Sequence, residues 1–267
     1  MTMSQERSSG NRIVAVCGKG GTGKTAFTAI MARILLDAER AGKMLVIDAD
    51  PAMNLPNVLG MGAARTMGEI REDIITMAKR GDEDQRVKLA HMLDYMVVDA
   101  LVETDKFALL AMGRTETLGC YCPVNDVLRG AIETLSKSFD TILIDGEAGL
   151  EQLNRQVMRR VDTIVAVTDA TSRGMKSAAL IKQIVMQDRV LQCDRIGVVV
   201  NRVQGNEGLV RQQAYETGLE LFGLVPHDEN IAYYDLVGKP ITELATSPGV
   251  DAIRDIVQQH IFPERFS

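Results

Sequence analysis

The octapeptide Gly18-Lys19-Gly20-Gly21-Thr22-Gly23-Lys24-Thr25 constrains this chain more than any other feature. It fits the pattern G-x-x-x-x-G-K-[ST]. It stands between an apolar run, Ile13-Val14-Ala15-Val16-Cys17, and a helical stretch from Ala26 to Glu39. A strand entering and a helix leaving is the context that pattern requires. The backbone of Gly20, Gly21, Thr22 and Gly23 is expected to close around phosphate oxygens, aided by the positive end of the helix. Lys24 is expected to pair with the β and γ phosphates, and Thr25 to hold Mg²⁺. Gly18-x-Gly20-x-x-Gly23 also matches the dinucleotide fingerprint, with Asp48 where a ribose-binding acid would sit. Lys24-Thr25 favours the triphosphate, because a dinucleotide site calls for neither a cation nor a hydroxyl there.

Short apolar runs alternate with longer helical patterns along the rest of the chain. Strands are expected at Met44–Ile47, Phe107–Met112, Thr141–Ile144, Thr163–Val167, Ile196–Val200 and Leu219–Val225. Helices are expected at Thr66–Lys79, Gln85–Leu101, Val124–Ser138, Gly174–Arg189, Leu209–Thr217 and Val250–Ile261. Wholly apolar strands joined through helices imply an α/β fold, a mainly parallel, doubly wound sheet with helices on both faces. Ligands of such sheets sit at the carboxyl ends of the strands. Asp48, Asp145 and Asn201 follow strands and would share that rim. With no Pro-, Gly- or Ser-rich linker and no repeat, residues 12–267 read as one domain behind a polar tail, 1–11, expected to be disordered.

The composition narrows the function. The 267 residues are 46% hydrophobic and 25% charged, and the net charge of -6 disfavours a broad nucleic-acid-binding face. No apolar run approaches a membrane span, and the amino-terminal residues lack the apolar stretch of a signal peptide. No nucleic-acid or membrane partner is expected. Four cysteines are too few for a disulfide scaffold, so a cytoplasmic location with thiols free for metal chemistry is expected.

Two acidic stretches follow strands, Asp48-Ala49-Asp50-Pro51 and Asp145-Gly146-Glu147. Magnesium takes hard oxygen ligands and keeps several waters, which suits Asp145 as a Walker B acid and Asp48 as support for the water shell. An Asp at a strand end also serves as a turn former, and for Asp48 that alternative stands equally. A second chemical signal is Gly119-Cys120-Tyr121-Cys122-Pro123. Two thiolates are half of a four-ligand site, and a two-fold axis would supply the other half from a second chain. Zn²⁺, Ni²⁺ or an iron–sulfur cluster would each suit four thiolates, and two ordinary structural cysteines are the alternative. Cys17 and Cys193 are expected to pack in the interior, and His91 and His260 to be surface or packing residues.

The loop form K-G-G-T-G-K-T resembles the deviant Walker A motif of the MinD/ParA/nitrogenase iron protein superfamily. That resemblance implies ATP hydrolysis by a homodimer in which Lys19 reaches the partner's nucleotide. It makes Lys19, Lys24 and Asp50 catalytic, with Asp50 orienting the attacking water. It gives Asn201, with Arg202 beside it, the adenine edge, and Pro226, His227 and Asp228 the later base-binding loop. The loop, Asp48–Pro51, Gly119–Pro123 and Glu147-Ala148-Gly149-Leu150-Glu151 together resemble the CooC-type nickel-insertion ATPases that serve carbon monoxide dehydrogenase. The resemblance runs from about Ile13 to the carboxyl terminus. It implies a metallochaperone using ATP/ADP and Mg²⁺, with Ni²⁺ or Zn²⁺ held between subunits by Cys120 and Cys122, and a nickel-enzyme client. Glu147 replaces the Pro of the MinD-like switch II, and Gln152 stands where many CooC-like chains have His. A MinD/ParA-like positioning ATPase and an iron–sulfur carrier or reductase are the alternatives.

Overall fold

The computed structural model describes residues 11–62, 65–80, 95–114, 122–147, 157–187 and 191–267. Eight strands form one sheet: β1 (Arg12–Cys17), β2 (Met44–Asp48), β3 (Leu101–Glu103), β4 (Phe107–Ala111), β5 (Thr141–Asp145), β6 (Arg160–Asp169), β7 (Gln192–Val203) and β8 (Glu220–Pro226). Their order is β3-β4-β2-β5-β1-β6-β7-β8. Every pairing is parallel except that of β3 with β4.

The central strands are apolar at nearly every position because both faces of the sheet are covered. Alternate side chains enter opposite cores. Ala15, Leu45, Ile47, Ile142 and Ile144 face one core, together with Ile70, Ile132 and Ala178 from helices Met67–Arg80, Cys122–Ser136 and Ser172–Gln187. Val14, Val16, Val46, Leu143 and Val165 face the other, packed under helices Lys24–Asp37 and Pro248–Ile256. The doubly wound fold expected from the strand pattern is the one observed.

Three local expectations are corrected. Leu101 was expected to end a helix, but residues 95–99 are helical and Leu101–Glu103 is the antiparallel edge strand. Thr104 makes the hairpin: its Oγ1 accepts from the Lys106 and Phe107 N–H groups at 3.2 and 3.0 Å. Asn201 does not end β7, which runs on to Val203 with Arg202 in the left-handed region at φ 56°. The last expected helix is two segments, Pro248–Ile256 and a π turn, Val257–Ile261. The polar tail (1–10), most of Gln85–Leu101 and His91 lie outside the described residues.

Candidate nucleotide site

The loop after β1 is shaped by contacts from two neighbouring strands. At Gly18, φ is 145°, and a Cβ there would run into the Val167 carbonyl of β6. At Gly23, which caps helix Lys24–Asp37, φ is 90°, and a Cβ would run into the Asn201 side-chain amide. That amide donates through Nδ2 to the Thr22 carbonyl at 2.8 Å, while its Oδ1 accepts from the Arg202 N–H at 2.9 Å. Arg202 Nη1 donates to the Gly21 carbonyl at 3.1 Å. Thr22 Oγ1 closes the loop on itself by donating to the Lys19 carbonyl at 2.9 Å. Asn201 and Arg202, expected at the base, thus buttress the phosphate loop here. Lys24 is buried at 6% exposure, whereas Lys19 is exposed.

The acids stand on the same rim. Asp145 Oδ2 accepts from Thr25 Oγ1 at 2.7 Å, and its Oδ1 from Thr28 Oγ1 at 3.3 Å. Burial pushes the Asp145 carboxyl up to about 7; the Thr25 hydrogen bond opposes this, Asp48 adds to it, and Lys24 opposes it. Asp48 is also buried, and burial lifts it to about 6. Its Oδ1 accepts from the Asp50 N–H and its Oδ2 from the Leu55 N–H, both at 3.0 Å. Asp48 therefore organises the segment that carries Asp50, which is the turn-forming role that stood as its equal alternative in the sequence. Asp50 lines the cleft, and its Oδ1 accepts from the Ala52 N–H at 2.9 Å. A hydroxyl and a carboxylate within hydrogen-bond reach, with Asp50 nearby, are the hard oxygen donors that Mg²⁺ takes alongside its waters.

Lys24, Thr25, Asp50, Asn201 and His227 share one cleft of about 560 Å³. Pro226, the last residue of β8, and Asp228 line its far wall. Both Asp228 oxygens are occupied: Oδ1 caps helix Glu229–Val237 through the Asn230 and Ile231 N–H groups, and Oδ2 accepts from the Gly249 N–H at 2.7 Å. His227 pairs with Glu229 at 3.1 Å. Asn54, Asn57, Tyr234 and Lys239 also line the cleft. The polar Asn54 and Asn57, just after Asp50-Pro51, were a usable signal for that wall; nothing marked Tyr234 or Lys239.

Along the chain Cys120 falls between β4 and helix Cys122–Ser136, whose first residue is Cys122. Cys120 and the side chain of Cys122 lie outside the described residues. Cys17 is fully buried, and burial pushes its thiol up to about 12; Cys193 is half-buried and raised by the same cause. His260 packs against the Phe222 ring at 5.8 Å between centroids.

The family model described as the CobQ/CobB/MinD/ParA nucleotide binding domain matches residues 13–241. An uncharacterized ATP-binding protein of Methanocaldococcus jannaschii is 39% identical over 255 residues, covering 95% of this chain and 100% of its own. The carbon monoxide dehydrogenase accessory protein CooC of Rhodospirillum rubrum is 29% identical over 243 residues, covering 87% of this chain and 90% of its own. The solved septum site-determining protein MinD of Pyrococcus horikoshii, complexed with Mg-ADP, superimposes with a TM-score of 0.66. It is 22% identical and covers 96% of this chain and 98% of its own, a likeness of fold.

Proposed function

Because the chain belongs to the CobQ/CobB/MinD/ParA nucleotide-binding family, and is an ATPase of it, we propose that it works as a nucleotide-dependent homodimeric metallochaperone in the cytoplasm. Its cargo is a metal ion, Ni²⁺ first and Zn²⁺ second, held between two subunits by Cys120 and Cys122 of each. Its client is a nickel enzyme such as carbon monoxide dehydrogenase. The observation that carries this reading is the Cys-x-Cys pair of the sequence, Cys120 and Cys122 within Gly119–Pro123, which follows β4 along the chain. The CooC relative, similar over most of both chains, supports it.

The roles follow from the site. Lys24 and the backbone N–H groups of Gly20 to Gly23 bind the triphosphate. Thr25 and Asp145 are the residues that would hold Mg²⁺, which when bound would supply neutralising charge to the phosphate oxygens. Asp50 orients a water toward the γ phosphorus; the bond from that phosphorus to the bridging oxygen breaks, and ADP and phosphate leave. Lys19 contacts the partner's nucleotide. Asn201 and Arg202, besides bracing the phosphate loop, stand with Pro226, His227 and Asp228 at the base end of the cleft. Metal affinity must differ between nucleotide states for hydrolysis to drive transfer.

Titration of Ni²⁺ and Zn²⁺ into anaerobic protein tests the reading, with oligomeric state followed with ATP and ADP. One metal per dimer, lost in the Cys120→Ala/Cys122→Ala double variant, is the expected outcome. Unchanged affinity in that variant, or one metal per chain, sinks it. The fold shared with MinD favours a second reading, a positioning ATPase that dimerises on a surface. Binding of the ATP-loaded protein to liposomes or duplex DNA would support that one instead.

A further inference from the structure

Helix Met67–Arg80 takes no part in the nucleotide cleft, yet it is tied to both flanks of the connection that carries the cysteines. Its amino end is fixed by a capping box: Glu69 Oε2 accepts from the Thr66 N–H at 2.7 Å, and Thr66 Oγ1 from the Glu69 N–H at 3.2 Å. There the Gly68 N–H donates to the Met112 carbonyl at 2.8 Å. The approach is close enough that a Cβ on Gly68 would run into the Arg114 carbonyl. One turn on, Arg71, 4% exposed, donates through Nε to Asn125 Oδ1 at 2.9 Å, in the first turn of helix Cys122–Ser136. Arg71 Nη1 also pairs with Glu72 at 2.8 Å.

The other end of this chain of bonds is at the nucleotide. The Met112 N–H donates to the Asp48 carbonyl at 2.8 Å. The Asp48 carboxylate holds the N–H groups of Asp50 and Leu55, and Asp50 lines the cleft. Ile70 and Ile74 bury the helix in the core, so it moves as a packed body rather than bending. These bonds form one continuous path from the Asp48–Leu55 segment to Met112, to Gly68 and, through Arg71, to Asn125.

We propose that helix Met67–Arg80 is a strut coupling the segment after β2 to the helix that begins at Cys122, with Arg71 and Asn125 as its positioning residues. The strut stands on the hydrogen bonds above; its purpose, setting the cysteine pair by nucleotide state, rests on the metallochaperone reading. A buried guanidinium bonded to a side chain of a second helix gives a coupling with one preferred arrangement, and such couplings amount to about 5-fold or more in an equilibrium constant.

The experiment is hydrogen exchange by mass spectrometry on the full chain with Mg-ADP and with Mg-AMPPNP. Wild type is expected to show exchange over residues 122–136 that differs about 5-fold or more between the two nucleotides. Arg71→Met and Asn125→Ala are each expected to abolish that difference while retaining nucleotide binding, and their double variant to add nothing further. Arg160→Met, which removes an exposed ion pair with Asp194, is the control and keeps the difference. Should Arg71→Met not fold, Asn125→Ala interrupts the same bond from a half-buried position. A wild-type protein without the difference, or a difference that survives Asn125→Ala at full size, overturns the strut. A Ni²⁺ titration on the same samples separates the two claims. Wild type that binds no Ni²⁺ in either state ends the metallochaperone reading and leaves the exchange result standing. Ni²⁺ binding with unchanged nucleotide dependence in Asn125→Ala ends the strut's control of the cysteine pair and leaves that reading standing.

Discussion

Thr25 Oγ1 donates to Asp145 Oδ2 at 2.7 Å, joining the first turn of helix Lys24–Asp37 to the end of β5. The bond prepares the two oxygens that Mg²⁺ would use and leaves a buried carboxylate beside the loop. Burial lifts Asp145 from its ordinary 3.8 to about 7. In that interval the folded state binds the proton and the unfolded state does not, so the stability this gives is full below the ordinary value and is lost as pH rises toward 7. Asp145→Asn removes the titration. Wild type is therefore expected to lose melting temperature relative to the variant from about pH 4 to about pH 7, Asp48 being common to both. Hydrolysis in the variant should fall by about 100-fold or more. Parallel melting curves across that range would show that Asp145 carries no such shift.

The contact between Gly23 and Asn201 predicts a specific failure of additivity. Gly23→Ala adds a methyl group against the Asn201 amide at a left-handed φ, and Asn201→Ala removes that amide and its bond to Thr22. Each single variant is expected to weaken ATP binding. In the Asn201→Ala background, Gly23→Ala should cost less, with a coupling of about 1 kcal/mol. Calorimetric affinities for all four proteins decide it; strict additivity would mean that the two residues do not meet when nucleotide is bound.

The phosphate loop and the rim acids were legible because their environment writes itself into local sequence. A strand buried on both faces must be an apolar run, so Asp48 and Asp145 stood out where such runs stop. What was not legible depends on residues distant along the chain. Asn201 grips Thr22, 179 positions away, and no local pattern announces that contact. The strand Leu101–Glu103 is short and partly exposed, so its residues continue a helical pattern as readily as they form an edge. Helix Met67–Arg80 was visible as a helix, but its ties to Met112 and Asn125 exist only in three dimensions.

The two lysines of the loop are predicted to part company. Lys24 is buried in the cleft, and Lys24→Ala should reduce ATP affinity by about 100-fold, in line with loss of a charged hydrogen-bonding partner. Lys19 is exposed, and Lys19→Ala should leave affinity within about 3-fold but lower turnover in the proposed dimer. Mixing Lys19→Ala with Asp50→Ala then gives a complementation test. Half of the dimers are mixed, and each holds one complete site, so activity should recover to about a quarter of wild type. Without recovery, Lys19 does not act on the partner's nucleotide.

Two glycines of the same loop separate folding from binding. At Gly18 the backbone is left-handed, and a Cβ meets the Val167 carbonyl, a backbone group that cannot rotate away. Gly18→Ala must displace β1 from β6 or distort the turn, at a cost of about 2–4 kcal/mol. For a chain of this length that lowers the melting temperature by about 5–15 °C. Gly20 is exposed at the cleft, and a methyl group added there would meet no atom within 4 Å. It does not need a left-handed φ either. Gly20→Ala should melt within about 2 °C of wild type. Gly20 lines the cleft, so a methyl group there narrows the backbone approach that phosphate binding by this loop requires, and its ATP affinity should fall by about 10-fold or more. Thermal melts and nucleotide titrations on the two variants test both halves. Equal losses of stability would mean that the loop is strained throughout rather than at its root beside Val167.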